Sequence, residues 1–559
     1  MKKLLLPKAR AGILIALAWS SGWAASAAAQ TCTVGPFTSS TPLSSVISAI
    51  NGAKAGAVVC LQRGQTWTGS TGLNLTASFP ATSRVTICSS DTSQCQDSGA
   101  ANAKVSVTNG GGFGVRFRNG AGGYELRNID FAGPADAGGS DTIGLQPDRG
   151  SHDVRFVGGK VSSWWHMMWS DSGSGSPATN IEFGTCAAPL EMTTAASGGS
   201  EPFQQGTYGS YKSTAWRLNL HDYSPHGLLS HFLDIAYTGS INFNDDNNNS
   251  TDLVIECSKF GPNALEGGED FMKFSAGKRL TVRNNNFTGC NRLLGFTGHG
   301  PDGNTYGWDQ VDIYQNTFDG RSCSSQTPVV LLDASNVRIY NNVVSVAKGN
   351  SQGGLVSMNC QEGSINAQDN DVAHVSVYNN TVYRNGSASD PTSGYGTFGS
   401  SDAGCVNGGT QPSDITVVNN LDMENDTQNP YPWQVGAAGC NAWGTNGAQV
   451  HNNFVYSPNK APRLPSCSAS DMFAKSGSTT TATGDGWNTP PGVTDLANFN
   501  FTITNASKVF GQGDPKYCPA TDFAGNARPS TCSIGAYDVG SGSPAALQPP
   551  TLIQASPLN

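Results

Sequence analysis

The sequence predicts an all-β protein built as one long right-handed parallel β-helix. A strand-and-turn unit recurs along the chain, 68 glycines accompany only 13% charged residues, and almost no stretch has helical periodicity. The units are YELRNIDF, LVIECSKF, LTVRNNNF, VDIYQNTF, VRIYNNVV, VSVYNNTV, ITVVNNLD and AQVHNNFV. Their central apolar residues are Leu126, Ile255, Val282, Ile313, Ile339, Val377, Val417 and Val450, spaced 26 to 40 residues apart from Ile255 onward. Stacking such units would bury these residues in one continuous core.

The first 29 residues are predicted to be a secretory signal. Lys2, Lys3, Lys8 and Arg10 precede a short apolar run, and the small residues of 24–29 supply a cleavage site. The run is too short to span a bilayer, and no later segment is long enough. We therefore expect a protein without a membrane span that is secreted or periplasmic.

The ends of the predicted solenoid need covering, because an open stack exposes unpaired strand edges. Residues 30–80 are predicted to form an N-terminal cap and the first coil, beginning with an amphipathic helix. The apolar face of that helix carries Leu43, Val46, Ile47 and Ile50. Residues 81–465 then form the β-helix, residues 466–540 a closing segment, and residues 541–559, rich in Pro, Ser and Ala, a disordered tail.

Asparagine follows the strand in most units, at the point where the chain must bend. Its amide bonds neighbouring backbone and it tolerates unusual dihedral angles, so it suits such a corner. Asn284, Asn285 and Asn286 are assigned to this position, and asparagines of successive coils are expected to bond one another. The stretch 522–540 resembles the closing motif of exported bacterial β-helix proteins, also called a choice-of-anchor module. That resemblance implies how the stack ends and nothing about substrate.

Charge and cysteine content limit the class of protein. The chain has a net charge of −9, which becomes about −13 once the basic signal segment is removed. This acidity argues against nucleic acid as a partner, and a polyanionic substrate would need a local basic groove. The 14 cysteines, in a chain sent to an oxidising compartment, predict disulfides, with Cys88–Cys95 and Cys518–Cys532 as local pairs.

The stretch 266–287, EGGEDFMKFSAGKRLTVRNNNF, is the main candidate for chemistry. Strand alternation puts Met272 and Phe274 into the core and turns Phe271, Lys273 and Ser275 outward. In the next strand-like run, NRLLGFTGHG, the same rhythm places Gly295 beside Lys273 one coil further on. Arg292 and His299 then lie at the two ends of that neighbouring strand.

These residue types fit β-elimination on a uronic acid. The proton next to the sugar carboxylate can be removed only if the carboxylate is neutralised, by a divalent cation or an arginine. A lysine whose pKa is lowered by nearby positive charge can act as the base, and Arg or His can protonate the leaving oxygen. Lys273 is therefore predicted as base and Arg292 and His299 as the other catalytic groups. Glu266, Glu269 and Asp270 are oxygen ligands of the kind that Ca²⁺ takes.

The same residues resemble the β-helix polysaccharide lyases of the chondroitinase B and alginate lyase type. In those enzymes an acid cluster is followed by a lysine and then by Arg-His-Gly. The acid cluster EGGED, Lys273 and the tripeptide Gly298-His299-Gly300 occupy the corresponding places here. Gly298 replaces the arginine, so that role passes to Arg292. The resemblance implies a monomeric enzyme acting on an acidic polysaccharide.

Three further residues are predicted to contact substrate: His226, Arg283 and Trp308. Ser224-Pro225-His226 resembles the Asp-Pro-His of alginate epimerases, and Trp308 adjoins Asp309 as an aromatic and acidic pair. The stretch SSWWHMMW gathers Trp164, Trp165 and Trp169, and exposed aromatic faces serve as sugar platforms. At least one of these tryptophans is expected to be buried.

Two other classes of protein remain open from the sequence. A β-helix glycoside hydrolase would use paired carboxylates, for which Asp245 and Asp246 with Glu256 or Asp270 are candidates. A non-catalytic carbohydrate-binding or cell-surface β-helix would need no charged cleft.

Overall fold

The computed structural model describes the cap, the strands of the coils and a C-terminal segment. The described residues are 30–91, 93–95, 101–134, 142–164, 166–169, 178–193, 203–205, 211–212, 215–221, 233–235, 250–263, 270–274, 276–289, 291–296, 307–321, 326–331, 333–346, 354–358, 372–384, 398–400, 412–425, 433–435, 449–459 and 488–539. Within these ranges the chain is nearly all parallel β-sheet, which confirms the predicted parallel β-helix.

Three parallel sheets run the length of the described coils, and each coil visits them in the order I, II, III. Sheet I consists of β1 (Val34–Phe37), β2 (Val58–Gln62), β5 (Val85–Ser90), β8 (Gly122–Arg127), β11 (His152–Val157), β14 (Ala178–Phe183), β17 (Tyr211–Lys212), β18 (Ala215–Trp216), β21 (Ser250–Glu256), β24 (Ala276–Arg283), β27 (Gly307–Tyr314), β30 (Ala334–Tyr340), β33 (Ala373–Tyr378), β36 (Ser413–Val418) and β39 (Gln449–His451). Sheet II consists of β3 (Thr66–Gly69), β6 (Ala103–Val107), β9 (Ile129–Ala132), β12 (Lys160–Ser162), β15 (Leu190–Thr193), β19 (Leu218–His221), β22 (Lys259–Asn263), β25 (Asn286–Gly289), β28 (Thr317–Gly320), β31 (Val343–Val346), β34 (Thr381–Arg384), β37 (Leu421–Glu424) and β40 (Phe454–Tyr456). Sheet III consists of β4 (Leu73–Leu75), β7 (Phe113–Phe117), β10 (Ile143–Pro147), β13 (His166–Trp169), β16 (Phe203–Gln205), β20 (Leu233–Ile235), β23 (Asp270–Phe274), β26 (Asn291–Phe296), β29 (Gln326–Leu331), β32 (Val356–Met358), β35 (Phe398–Ser400) and β38 (Trp433–Val435).

The register of sheet I confirms the repeat that the sequence predicted. From Ile255 to Val450, the central apolar residues of successive units are direct partners on adjacent strands. Most of them are fully buried, within one hydrophobic core that runs along the inside of the coils. Because side chains alternate along a strand, the residues between them project from the outer face.

The corner between sheets I and II is an asparagine ladder, as predicted. The first corner residue has a positive φ in successive coils, for example 54° at Asn284 and 52° at Asn341. The second corner residue is buried and donates from its amide to the same residue one coil further on. The ladder runs Asn285, Asn316, Asn342, Asn380, Asn420 and Asn453, with donor–acceptor distances of 2.9 to 3.0 Å. Each rung therefore satisfies polar groups that the tight bend would otherwise bury unpaired.

The N-terminal end is covered by the predicted helix, α1 (Leu43–Asn51). Val46 and Ile50 are fully buried in the core, and Leu43 and Ile47 pack against it. Asn51, the last residue of α1, links the helix to the first coil by two hydrogen bonds. Its amide donates to the Asn74 carbonyl at 3.0 Å and its side-chain oxygen accepts from the Thr76 N–H at 2.9 Å.

The described C-terminal segment, residues 488–539, lies along the side of the later coils. It contains the antiparallel pair β41 (Val493–Asp495) and β42 (Asn500–Ile503). Its apolar residues pack on outward residues of sheet II such as Tyr383 and Leu421. The amide of Asn379 reaches the Ser533 carbonyl at 2.9 Å, so the first residues of the asparagine corners hold this segment in place.

Four disulfides join described cysteines. They include both predicted local pairs, Cys88–Cys95 and Cys518–Cys532, together with Cys32–Cys60 and Cys186–Cys257. Among the described residues, the one group of His, Cys, Asp or Glu close enough to hold a metal consists of Cys60, Cys88 and Cys95. All three are disulfide-bonded, so they are not available as thiolate ligands.

Candidate active site on sheet III

Lys273 lies on the outer face of sheet III, in β23. Its neighbours Met272 and Phe274 are fully buried, whereas Lys273 is partly exposed, as the alternation predicted. The residue directly opposite Lys273 on the next strand, β26, is Gly295. A glycine has no side chain, so this position of the next coil places no side-chain atoms beside the lysine, and Gly295 itself is buried.

Phe271 does not project outward as the alternation suggested. It is 1% exposed, and its ring meets Phe260 of sheet II edge-on at 6.1 Å between centroids. Leu293, the residue at the same place in the next strand, is also buried. The prediction was wrong because Phe271 lies where the chain turns from sheet II into sheet III, and at such a corner two consecutive side chains reach the core.

Arg292 lies on the strand next to Lys273. It is exposed, and its Cα is paired with that of Asp270 at the start of β23. Adjacent strands of sheet III thus bring together Asp270, Lys273, Arg292 and Gly295. His299, Glu266 and Glu269 lie outside the described residues.

The residues that share the outward register of Lys273 form a line across sheet III, which we call the lysine column. In chain order its members are Asn74, Arg116, Gln146, Trp169, Gln204, Asp234, Lys273, Gly295, Val330, Ser357, Gly399 and Gln434. Asp234 is the direct partner of Lys273 on the preceding strand, β20, so an acidic residue and the lysine are neighbours in the column.

Arg283 lies on a different face from Lys273. It is the last residue of β24 in sheet I, where its guanidinium contacts Glu256 at 2.6 Å and the Tyr314 hydroxyl at 3.0 Å. Burial acts to lower the pKa of Arg283, but Glu256 and Tyr314 together raise it. The structure therefore places Arg283 and Lys273 on different sheets. The prediction that Arg283 contacts substrate beside Lys273 was wrong.

Trp308 is part of the core. Its side chain is 0% exposed, and its ring meets Phe274 edge-on at 5.8 Å. Gly277 in the preceding coil makes room for it, since a Cβ at that position would lie 2.4 Å from the indole. A sugar cannot reach a ring with no exposed surface, so the prediction of Trp308 as a substrate contact was wrong. The third predicted contact, His226, lies outside the described residues.

Sheet I carries a line of alternating acids and bases that the sequence did not reveal. Its members, which we call the sheet I ladder, are Arg127, Glu125, Arg155, Glu182, Arg217, Glu256 and Arg283. Consecutive members are separated by 2.6 to 3.8 Å between charged atoms. Arg127 and Glu125 lie on the same strand. The other contacts join side chains of adjacent coils, whose strands are about 4.8 Å apart, although the residues are 27 to 39 positions apart in the chain.

Trp169 and Arg116 lie in the lysine column with Lys273, a shared position that could not be predicted from the sequence. Trp164 is buried, as expected for at least one tryptophan of its cluster, whereas Trp169 is partly exposed. Strand alternation around Met168, which lies in the core, does indicate that Trp169 points outward. Without the register of β13 against β10 and β16, however, that alternation could not show which residues lie in line with Lys273.

No described helix is both long and apolar enough to cross a membrane. The sequence matches no known protein family, and it matches no curated protein. Several solved structures have similar folds. A mutant of the PL6 family alginate lyase AlyGC has a TM-score of 0.46 and 12% identity, covering 78% of this chain and 52% of its own. The chain thus spans about half the length of that lyase.

Two more similar structures represent different kinds of protein. A mannuronic acid specific polysaccharide family 6 lyase from human gut microbiota has a TM-score of 0.45 and 12% identity, covering 76% of this chain and 86% of its own. PfbA, a surface adhesin of Streptococcus pneumoniae, has a TM-score of 0.41 and 9% identity, covering 69% of this chain and 84% of its own. These likenesses concern the fold alone.

Proposed function

We propose that the protein is an exported polysaccharide lyase that cleaves an acidic, uronic-acid-containing polysaccharide by β-elimination on the outer face of sheet III. The observation that carries this proposal is the pairing of Lys273 with Gly295. It places a partly exposed lysine beside a residue without a side chain, with the guanidinium-bearing residue Arg292 on the same adjacent strand. The signal-like first 29 residues and the disulfides support export.

Each proposed role follows from the chemistry of the group. The Lys273 amine, in its neutral form, takes the proton next to the sugar carboxylate. Arg292 pairs with that carboxylate and so stabilises the charge that develops as the proton leaves. His299 donates a proton to the leaving glycosidic oxygen. The products are a new sugar end and an unsaturated uronate, with no water consumed.

A calcium site made of Glu266, Glu269 and Asp270 belongs to the same proposal. Carboxylate oxygens are the ligands that Ca²⁺ prefers, and these three acids directly precede Lys273 in the sequence. A bound cation would supply further neutralisation of a substrate carboxylate. We expect the protein to act as a monomer.

The glycoside hydrolase alternative loses one of its candidate carboxylates. Glu256 is 2% exposed and lies between Arg217 at 2.7 Å and Arg283 at 2.6 Å. This carboxylate is thus buried between two guanidinium groups on sheet I, where a glycosidic oxygen cannot reach it.

The test is incubation of the protein with alginate, pectate, chondroitin sulfate, dermatan sulfate and hyaluronan. A lyase releases products with the ultraviolet absorbance of an unsaturated uronate, in step with new reducing ends. Reducing ends without that absorbance would establish a hydrolase instead. Binding without cleavage of any acidic glycan would favour the non-catalytic class.

A chelator separates the two ways of neutralising the substrate carboxylate. If the acid cluster holds Ca²⁺, EDTA removes activity and added Ca²⁺ restores it. Full activity in EDTA would leave that role to Arg292.

A further inference from the structure

We propose that Trp169 is a sugar-stacking subsite, and that the bound polysaccharide runs from Lys273 along the lysine column toward the N-terminal coils. This inference rests on the proposed function, because it takes Lys273 as the point of cleavage. The bound segment would cross the strands of sheet III at right angles, contacting one outward residue of each coil.

The position of Trp169 is fixed by the alternation of β13. Met168 is fully buried in the core, so the next side chain, Trp169, projects from the outer face and is partly exposed. Trp169 is the one aromatic residue of the lysine column. The other column members on the N-terminal side of Lys273 are polar, and a large apolar ring among them gives a sugar a surface on which to stack its C–H groups.

The indole is held in place by a buried neighbour. The His166 ring is 3% exposed and meets the Trp169 ring edge-on at 4.7 Å, with an interplanar angle of 78°. Because the orientation of the indole is set by packing, a ligand that stacks on it loses little side-chain entropy. That favours a binding role for this side chain.

The spacing along the column suits a polymer. Trp169 is separated from Lys273 by three strand steps, through Gln204 and Asp234, which corresponds to about 14 Å. A ligand must therefore span several sugar units to contact both residues. A short oligosaccharide bound at Lys273 would not reach the indole.

Arg116 extends the same line beyond Trp169. It lies two strand steps further from Lys273, and its Nε donates to Asp148 at 2.8 Å. The Asp148 side chain is 5% exposed, whereas that of Arg116 is 28% exposed, so the buried acid orients the guanidinium at the surface. The guanidinium carries other N–H donors besides Nε, which suit a carboxylate of an acidic sugar.

On the other side of Lys273, the nearest described members of the column offer no comparable contacts. The next column members, Gly295, Val330 and Ser357, carry neither charge nor an aromatic ring, and the last two are at most 5% exposed. This asymmetry gives the proposed direction. The side chains that can hold a polysaccharide lie on the N-terminal side of the cleavage point.

The experiment compares Trp169→Ala and Trp169→Phe with the unchanged protein, using the full-length mature chain. Retardation in native gels containing each acidic polysaccharide measures binding without turnover. For Trp169→Ala we expect binding to weaken and KM for the polymer to rise about tenfold, with kcat retained. Trp169→Phe should restore most of the affinity, and KM for a trisaccharide should not change in either variant. Arg338→Ala, at a side chain 57% exposed on sheet I, is the control and should bind as the unchanged protein does.

The outcomes separate this inference from the proposed function. Cleavage with Trp169→Ala indistinguishable from the unchanged protein would overturn the subsite and leave the lyase standing. Loss of retardation in Trp169→Ala, in a protein that cleaves nothing, would support the subsite and reject the lyase. A fall in kcat with KM unchanged, or equal weakening in Arg338→Ala, would also overturn the subsite.

Discussion

The outer faces of sheets I and III are built from the same coils but arrange their charged residues in opposite ways. On sheet I, opposite charges stack from coil to coil, so Glu182 lies 2.9 Å from Arg155 and 3.2 Å from Arg217. On sheet III, the neighbours of Lys273 in the lysine column are Asp234 in the preceding coil and the uncharged Gly295 in the following coil.

The difference separates a stabilising surface from the one that we propose to be reactive. The carboxylate of Glu182, fixed between two guanidinium groups, is engaged in ion pairs with neighbouring coils. We propose that the amine of Lys273, beside a residue without a side chain, instead approaches a bound sugar. In a parallel β-helix the register decides which case applies, because it sets the neighbour of every outward side chain.

The largest expected effect comes from breaking the sheet I ladder at its most buried acid. Glu256→Ala leaves Arg217, only 6% exposed, without one of its carboxylates, and should lower the free energy of unfolding by about 4 kcal/mol. Chemical denaturation measures the loss. Asp319→Ala, which breaks the more exposed pair with Arg321, is the control and should cost less than about 1 kcal/mol. Equal losses would mean that burial does not distinguish the ladder from an ordinary surface pair.

Adding a side chain at Gly295, beside Lys273, should have the next largest effect, measured as activity of the folded variant. In Gly295→Val the new side chain fills the position next to the amine, and we expect a loss of about a hundredfold in kcat/KM. Gly399→Val places the same side chain in the same column, three strands beyond Gly295. It should leave activity unchanged. Comparable losses in both variants would show that the outer face is sensitive everywhere and that position 295 has no special role.

The asparagine ladder underlies both faces and can be tested by itself. Asn316→Ala removes the side-chain bonds to Asn342 at 3.0 Å and to the Val282 carbonyl at 2.8 Å. It also removes the oxygen that accepts from the Asn285 backbone N–H at 3.1 Å and from the Asn285 side-chain amide at 2.9 Å, although that amide keeps its bond to the Ile255 carbonyl. We expect a loss of about 2 kcal/mol in the free energy of unfolding. Asn459→Ala, at an exposed asparagine, should change it little. A small change in the free energy of unfolding for both variants would show that the asparagine ladder does not stabilise the fold.

The smallest effect concerns the stacked tyrosines of sheet I. Tyr340 and Tyr378 stack at 5.0 Å, and burial raises the pKa of Tyr378 from 10 to about 12. The folded protein keeps this phenol protonated at pH values where the unfolded chain releases the proton. Its contribution to stability is thus full below pH 10 and is lost as the pH rises to about 12. Tyr378→Phe should show a shallower fall in denaturation midpoint over that range, and an unchanged slope would contradict the assignment.

The repeat could be predicted from the sequence because it depends on local patterns. A period-two alternation of Val, Ile and Leu followed by asparagine identified the buried line through Ile255 and Val282 and the corner at Asn285. These features depend on residues within one coil. Most ion pairs of the sheet I ladder escaped prediction because the two partners lie a whole coil apart, and coil lengths vary from 26 to 40 residues.

Only those features of the candidate site that depend on nearby residues could be predicted. The neighbouring runs around Lys273 and Gly295 are close in sequence, so their register could be inferred, and it is confirmed. Trp308 was misplaced because its burial depends on Gly277 in another coil, and Phe271 because it lies at a corner where alternation fails. Trp169 lies three strand steps from Lys273, a distance that the sequence alone cannot bridge.

The most direct test is the rate at which Lys273→Ala forms unsaturated uronate from the best polysaccharide substrate, measured beside the unchanged protein. An outward lysine contributes little to stability, so the variant should keep its melting temperature. We expect product formation to fall below detection in the folded Lys273→Ala protein. A folded Lys273→Ala protein that still forms the unsaturated product at the original rate would contradict it.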